Sequence, residues 1–256
     1  MGITDLVVRL TYVGHATVVI DMAGTRLITD PVLRPRVAHL RRAGPVDPAL
    51  VANIDGVLIS HAHMDHLDPA SLALLEGEPT IVVPHGAARF VRRRRGVVEV
   101  GEGDEVEIGT LTIRPTHADH DGRRYQFGPA APTLGYRVEG DRTVYFAGDT
   151  GFFPGMADIG RAGVDVALLP VSGWGARLPP GHLDPLAAAR ALALLTPQVA
   201  VPIHWGTLAP VVAGRNAPGH SESPAHEFAE HAAALAPDVD VVVIPPGGTV
   251  ELWAGQ

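Results

Sequence analysis

Two β-sheets packed face to face with helices on the outside is the architecture this sequence predicts, and three observations carry the prediction. Short β-branched and apolar runs, separated by glycine-containing turns, dominate the chain up to about residue 147. From residue 164 onward, apolar strands alternate with two helical stretches at 185–195 and 224–236. Both halves thus run from strand-rich to helix-containing, with no linker composition or short-period repeat between them. Residues 1–256 are therefore read as a single domain.

Taken in order, Val7–Tyr12, Thr17–Met22 and Thr25–Thr29 read as strands, interrupted at Gly14-His15 and turned at Ala23-Gly24. Residues 31–48, rich in Arg and Pro and lacking a period, read as a surface loop. A strand at Val57–Ser60 leads through a histidine-rich segment to a helix start at Asp68-Pro69. Asp suits the N-cap there and Pro the first helical position. The device recurs at Asp184-Pro185 and, with Ser, at Ser223-Pro224. Thr80–Val83 is a strand, and Gly86–Arg95 a helix whose Arg92–Arg95 run reads as a solvated C-terminal turn. Further strands fall at Val97–Val100, Glu105–Ile108, Leu111–Thr116, Thr133–Val138, Thr143–Ala147, Val164–Val171, Val199–Ile203, Val239–Ile244 and Thr249–Leu252.

Composition narrows the function. The chain has 256 residues, 46% hydrophobic and 19% charged, which is globular and long enough for a substantial core. A formal charge of −8 argues against a general nucleic-acid binder, which needs a basic face. The absence of cysteine excludes disulfides and thiolate metal ligands. Residues 1–6 lack the charged-then-apolar pattern of a leader, and no apolar stretch approaches a membrane span. A cytoplasmic protein is expected.

The chemistry concentrates in Ser60-His61-Ala62-His63-Met64-Asp65-His66, behind the apolar run Val57-Leu58-Ile59. A neutral imidazole offers a lone pair on one nitrogen and a second-partner bond on the other. With a strand ending at Ser60, His61 and His63 project the same way and grip one cation. Asp65 and His66, one turn later, face a second. The motif has distant counterparts: His117 and His120 follow strand 111–116, Asp149 follows 144–148, and His204 follows 199–203. Several strands thus deliver His or Asp at their carboxyl ends, which is what a preformed metal site requires.

These pieces resemble the metallo-β-lactamase superfamily over nearly the whole chain: the HxHxDH of His61–His66, a His after a strand, Phe146-Ala147-Gly148-Asp149-Thr150-Gly151, and Ile203-His204-Trp205-Gly206-Thr207. Gly14-His15-Ala16-Thr17, Leu27-Ile28-Thr29-Asp30-Pro31 and His182-Leu183-Asp184-Pro185 resemble in particular the branch of L-ascorbate-6-phosphate lactonase and N-acyl-phosphatidylethanolamine phospholipase D. The resemblance implies a four-layer αββα sandwich with a dinuclear site. One metal would take His61, His63 and His120, with His117 as the alternative to His120. The other would take Asp65, His66 and His204, with Asp149 bridging. It further implies that His182 acts against the oxyanion or leaving group, plain loop structure being the alternative. Asp30 either holds a ligand imidazole from outside or is a turn residue. His15 either lines the site or, the favoured reading, is a turn histidine bonded to backbone; Trp174, Arg177 and Trp205 are candidates to shape the substrate pocket, with core packing favoured for the two Trp; and His39, His85, His220, His226 and His231 read as surface or structural.

Two cations roughly 3.5–4 Å apart can share a hydroxide and bring the pKa of water toward roughly 7. Asp65 would orient that nucleophile or pass on its proton. Imidazole and carboxylate donors suit two divalent ions, zinc first, with manganese or iron also compatible. The expected function is a metal-dependent hydrolase of a small-molecule lactone, ester or phosphodiester, with a homo-oligomer possible and no nucleic acid. The competing classes are an RNA-processing metallo-nuclease, which the acidic charge disfavours, and a non-catalytic metal-binding protein, which the full donor set disfavours.

Overall fold

Strand periodicity builds the two inner layers of this protein, seen here in a computed structural model. The structure describes residues 7–91, 95–124, 128–173, 177–213 and 218–253; residues 1–6, Arg92–Arg94 and Trp174 lie outside them. Strands β1 (Val8–Gly14), β2 (Thr17–Met22) and β3 (Thr25–Thr29) form an antiparallel meander. Two short strands, β4 (Arg36–Val37) and β5 (Leu40–Arg42), lie apart, after which β6 (Gly56–Leu58) returns to pair in parallel with β3. The single-turn helix α1 (Pro69–Leu72) precedes β7 (Thr80–Pro84) and β8 (Val97–Val100), which extend the sheet in parallel.

The second sheet starts as an antiparallel ladder of β9 (Val106–Ile108), β10 (Leu111–His117), β11 (Leu134–Glu139) and β12 (Thr143–Phe146). Helices α2 (Met156–Arg161) and α3 (Pro185–Leu195) then carry the chain to β13 (Val166–Pro170) and β14 (Val199–Ile203), both added in parallel. The chain ends with β15 (Leu208–Pro210), α4 (Ser223–Leu235), β16 (Asp240–Val241) and β17 (Gly248–Leu252). The two seven-stranded sheets run β17-β1-β2-β3-β6-β7-β8 and β16-β14-β13-β12-β11-β10-β9.

Alternating side chains split the first sheet's contribution between two cores. Tyr12, Ile20, Leu58 and Val82 meet Ile113, Tyr136, Val138 and Phe146 of the second sheet, in a core that also takes Met156, Leu192 and Phe228 from the helices. Val19, Val57, Ile59, Ile81 and Val83 face the other way, against Leu67, Leu72 and Val91. Strands buried on both faces must be apolar throughout, which is why Val57-Leu58-Ile59 reads as an unbroken run. The layering is the expected αββα sandwich. Helix α3 starts as its sequence indicates: Asp184 Oδ1 accepts from Ala187 N at 2.7 Å, and Thr196 (φ +46) ends it in the left-handed region.

Several expectations are corrected. Residues 31–48 are not a plain surface loop: β4 and β5 pair with β15 in a third small sheet, with Val32, Val37, Leu40 and Leu208 as its own core. The helix expected over Gly86–Arg95 reduces, among the described residues, to a 3-10 turn at Ala88–Phe90 without a side-chain cap. Ser223 lies inside α4, its Oγ donating to Glu227 Oε1 at 2.6 Å, so it is not the cap. The strand expected over Val239–Ile244 is only Asp240–Val241, and α2 and β15 were not foreseen. No helix among the described residues is long and apolar enough to cross a membrane.

Candidate metal centre

Strand direction explains why the donors meet. In the first sheet β2 runs against both β1 and β3, and β3 is parallel to β6, so β1, β3 and β6 share a direction. Their carboxyl ends carry His15, Asp30 and the His61–His66 segment. In the second sheet β10, β12 and β14 share a direction by the same reasoning, and their ends carry His120, Asp149 and His204. The two rows are tied together where they face: Leu134 N donates to Ser60 O at 2.9 Å, and Tyr136 Oη donates to Ile59 O at 2.7 Å. Gly148, at φ +61, permits the close approach, because a Cβ there would sit 2.6 Å from Ser60 Cβ.

The donors form two adjoining groups. His61, His63 and His120 offer one ligand atom each within 4.8 Å of one another, with His63 Nδ1 3.2 Å from His120 Nε2. The second group is His15, Asp65, His66 and His204. Asp149 faces it with both oxygens: Oδ2 is 3.2 Å from His66 Nε2, and Oδ1 is 3.2 Å from His204 Nε2. His182 Nε2 lies 3.4 Å from Asp149 Oδ2, and its ring meets that of His120 edge-on at 4.6 Å.

Outward hydrogen bonds fix the rings. His66 Nδ1 bonds Asp30 Oδ2 at 2.7 Å, His120 Nδ1 bonds Gly181 O at 2.8 Å, and His204 Nδ1 bonds Ser172 O at 2.7 Å. Carboxylates and carbonyls only accept, so Nδ1 carries a proton in each ring and Nε2 is the nitrogen turned inward. Ser60 Oγ donates to Asp30 Oδ2 at 2.5 Å and therefore accepts from His61 Nδ1 at 2.9 Å. Asp30 thus orients His66 directly and His61 through Ser60, which favours the ligand-holding reading over the turn reading. His61 Nε2 is buried with no hydrogen-bond partner among the described residues. A native structure seldom leaves such an atom unsatisfied.

The charge balance also suits cations. Burial pushes His61 well below the usual imidazole range, lowers His63 and His120, and takes His204 down to about 3. These four are neutral lone-pair donors at pH 7. Burial opposes ionisation of Asp65 and Asp149, yet His66 and His15 hold the first, and His204 and His66 the second, well below the usual carboxylate range. Burial also disfavours a charge on His66, but Asp149, Asp65 and Asp30 overrule it and raise His66 well above 6.5. Two ionised carboxylates beside the neutral imidazoles of His61, His63, His120 and His204 make a donor set that divalent cations fit, and a cation there would replace the proton that the carboxylates hold on the inward nitrogen of His66.

A cavity of about 1050 Å³ opens onto this cluster, lined by His63, Asp65, His120, Asp149, His182 and His204. Val37, Leu40 and Met64 give it an apolar wall, and Arg123 and Arg177 also line it. Arg124 braces the motif loop, donating through Nη1 to Ala62 O at 2.7 Å and Leu67 O at 3.1 Å.

The structure brings together His61, His63, Asp65, His66, His120, Asp149, His182 and His204. His117 is elsewhere: its exposed ring sits 2.9 Å from Glu102 and edge-on to Phe153. Trp205 is core, its indole N–H donating to Pro202 O at 2.8 Å. His39 is exposed, as expected, and lies at the cavity, while of the two readings of His15 the site-lining one fits, since its ring points at Asp65 rather than at backbone. The missed signal for His15 is conformational, since a histidine between two strands at φ +60 occupies a place that glycine or asparagine fills more easily.

Comparison with known proteins agrees with this picture. The β-lactamase superfamily domain matches residues 25–205. A UPF0173 metal-dependent hydrolase of Methanopyrus kandleri is 32% identical over 95% of this chain and 99% of its own length. Another from Opitutus terrae is 37% identical over 78% of this chain and 85% of its own. Among solved structures, Igni18, a metallo hydrolase of Ignicoccus hospitalis, superposes with a TM-score of 0.74 at 26% identity, covering 96% of this chain and 98% of that one. By its matching domain, its relatives and its four layers, the chain belongs to the β-lactamase superfamily and has the metallo-β-lactamase fold.

Proposed function

We propose that this protein is a metal-dependent hydrolase of a small lactone, ester or phosphodiester, akin to the lactonase and phospholipase D branch its motifs resemble. The observation that carries the reading is Asp149 with an oxygen 3.2 Å from each of His66 Nε2 and His204 Nε2, beside the His61, His63 and His120 group. His61, His63 and His120 would hold one ion, and Asp65, His66 and His204 the other, with Asp149 serving both. Divalent cations there, zinc by donor type with manganese or iron compatible, would supply acidified water and an electrophile for the scissile oxygen.

The chain's own residues supply the rest. Asp65, ionised and with 13% of its side chain exposed, lines the cavity where it can take and pass on a proton. His182 Nδ1 is held by Pro179 O at 3.1 Å, while Nε2 faces Asp149 beside the cavity, in position to donate to a leaving group. The apolar wall of Val37, Leu40 and Met64 would exclude water from the organic part of the substrate.

Protein loaded with zinc or manganese and assayed on bis(p-nitrophenyl) phosphate and a lactone panel tests this. Turnover of either class that disappears in Asp149→Asn supports the reading. Loaded protein that hydrolyses neither overturns it.

A further inference from the structure

We propose that His15 is a positioning residue for one half of the metal centre, holding Asp65 with its ring and His204 with its main chain. The inference rests on the reading of Asp65, His66 and His204 as donors to one ion. His15 Nε2 lies 3.1 Å from Asp65 Oδ2, and the residue is 2% exposed. Its ring is 3.8 Å from that of His204 and 5.2 Å from that of His66, centre to centre. Its carbonyl accepts from His204 N at 2.7 Å. One residue on the β1–β2 turn is therefore bonded to two donors that arrive from different sheets.

The surroundings keep it there. His15 N donates to Thr207 Oγ1 at 3.0 Å, and that hydroxyl donates to Trp205 O at 3.0 Å. Gly14, at φ +128, leaves room for Thr207, whose Oγ1 would be 2.6 Å from a Cβ. Arg42, buried in the small third sheet, donates to Val13 O at 2.8 Å and to Val32 O at 2.7 Å, clamping the turn from outside. His15 and His204 have φ of +60 and +65, so two left-handed residues brace each other across a short hydrogen bond. A reversal between β1 and β2 requires none of this. A buried ring aimed at a carboxylate does, because a neutral Nε2–H donor fixes one oxygen of Asp65 and stops the carboxylate from swivelling.

Two variants separate ring from backbone. His15→Asn tolerates φ +60 and keeps the main-chain bonds, but its side chain is too short to reach Asp65. His15→Gln restores an N–H donor with longer reach. Cobalt(II) titration of each, followed by visible absorption and by bound metal per chain, is the readout. In His15→Asn, one ion should bind as in wild type and the second about 10–100-fold more weakly with an altered cobalt spectrum. His15→Gln should recover most of the loss. Wild-type affinity for both ions with an unchanged spectrum in His15→Asn overturns the proposal. So does equal weakening of both ions with a lowered melting temperature of the metal-stripped variant, which marks a general structural role. Wild-type protein that takes up no cobalt overturns the metal-centre reading itself, and His15's role with it.

Discussion

The two halves of the donor cluster are built from different chemistry. His61, His63 and His120 are all imidazoles, made neutral by burial, and His63 and His120 stand only half-buried at the cavity. Across from them, His15, His66 and His204 are buried around the ionised Asp65. The first half is a neutral grip open to ligand; the second is a charged one set deeper in the fold, with Asp65 and His204 reaching the cavity. Among the described residues, two act on both. Asp149 has oxygens at His66 and His204 and groups with His120 on the other side, and Asp30 lies behind, on His66 directly and on His61 through Ser60. The halves should therefore fail separately unless one of those two is changed.

Breaking the link at Asp149 should have the largest effect. Asp149→Asn is expected to lower kcat/KM by more than the about 10–100-fold typical of losing an outer partner, and to reduce metal content in both halves. A loss confined to one ion would show the halves to be independent of Asp149. Asp30→Asn comes next, with metal affinity falling about 10–100-fold at both ions in a cobalt titration. Ser60→Ala should reproduce only the His61 part of that loss, about tenfold. Equal weakening of both ions by Ser60→Ala would remove the distinction drawn here.

Gly148→Ala attacks the seam between the sheets instead. At φ +61, with Ser60 Cβ 2.6 Å from the new methyl, the variant should lose about 1–3 kcal/mol in urea unfolding. The smallest effect serves as a control outside both halves. Asp68 caps α1 through Ser71 N at 3.1 Å and takes two bonds of 2.8 Å from Arg34. Burial pushes the Asp68 carboxyl up, but Arg34 and Ser71 outweigh it and hold it below its usual range. Its contribution is thus present above roughly pH 4 and lost as pH falls through the lowered value. Asp68→Ala should cost about 1 kcal/mol at pH 7, and the gap from wild type should close in stronger acid.

Most donors were legible because they follow β6, β12 and β14, apolar strands buried on both faces that announce themselves as nearly unbroken runs, whereas β10, ahead of His120, alternates buried and exposed residues. The choice between His117 and His120 was not legible, because it depends on where β10 stops. The strand includes His117 and leaves its ring exposed, so the residue that reaches the centre is His120 in the loop beyond. The choice between the two readings of His15, site-lining or turn, was hidden because the turn that carries it is held by Thr207 and Arg42, both distant in sequence. The sheet within residues 31–48 escaped notice because strands of two and three residues have no period, and their order comes from pairing with Leu208–Pro210. The Asp30–Ser60–His61 relay was hidden for the same reason, being a relation between strand ends rather than a pattern along the chain.

Bound metal per chain is the most direct test of the central claim. Protein stripped with a chelator, reloaded separately with zinc, manganese or iron and analysed by plasma mass spectrometry should retain close to two ions per wild-type chain for at least one metal, and clearly fewer in Asp149→Asn. A wild-type chain that retains none of the three contradicts the account.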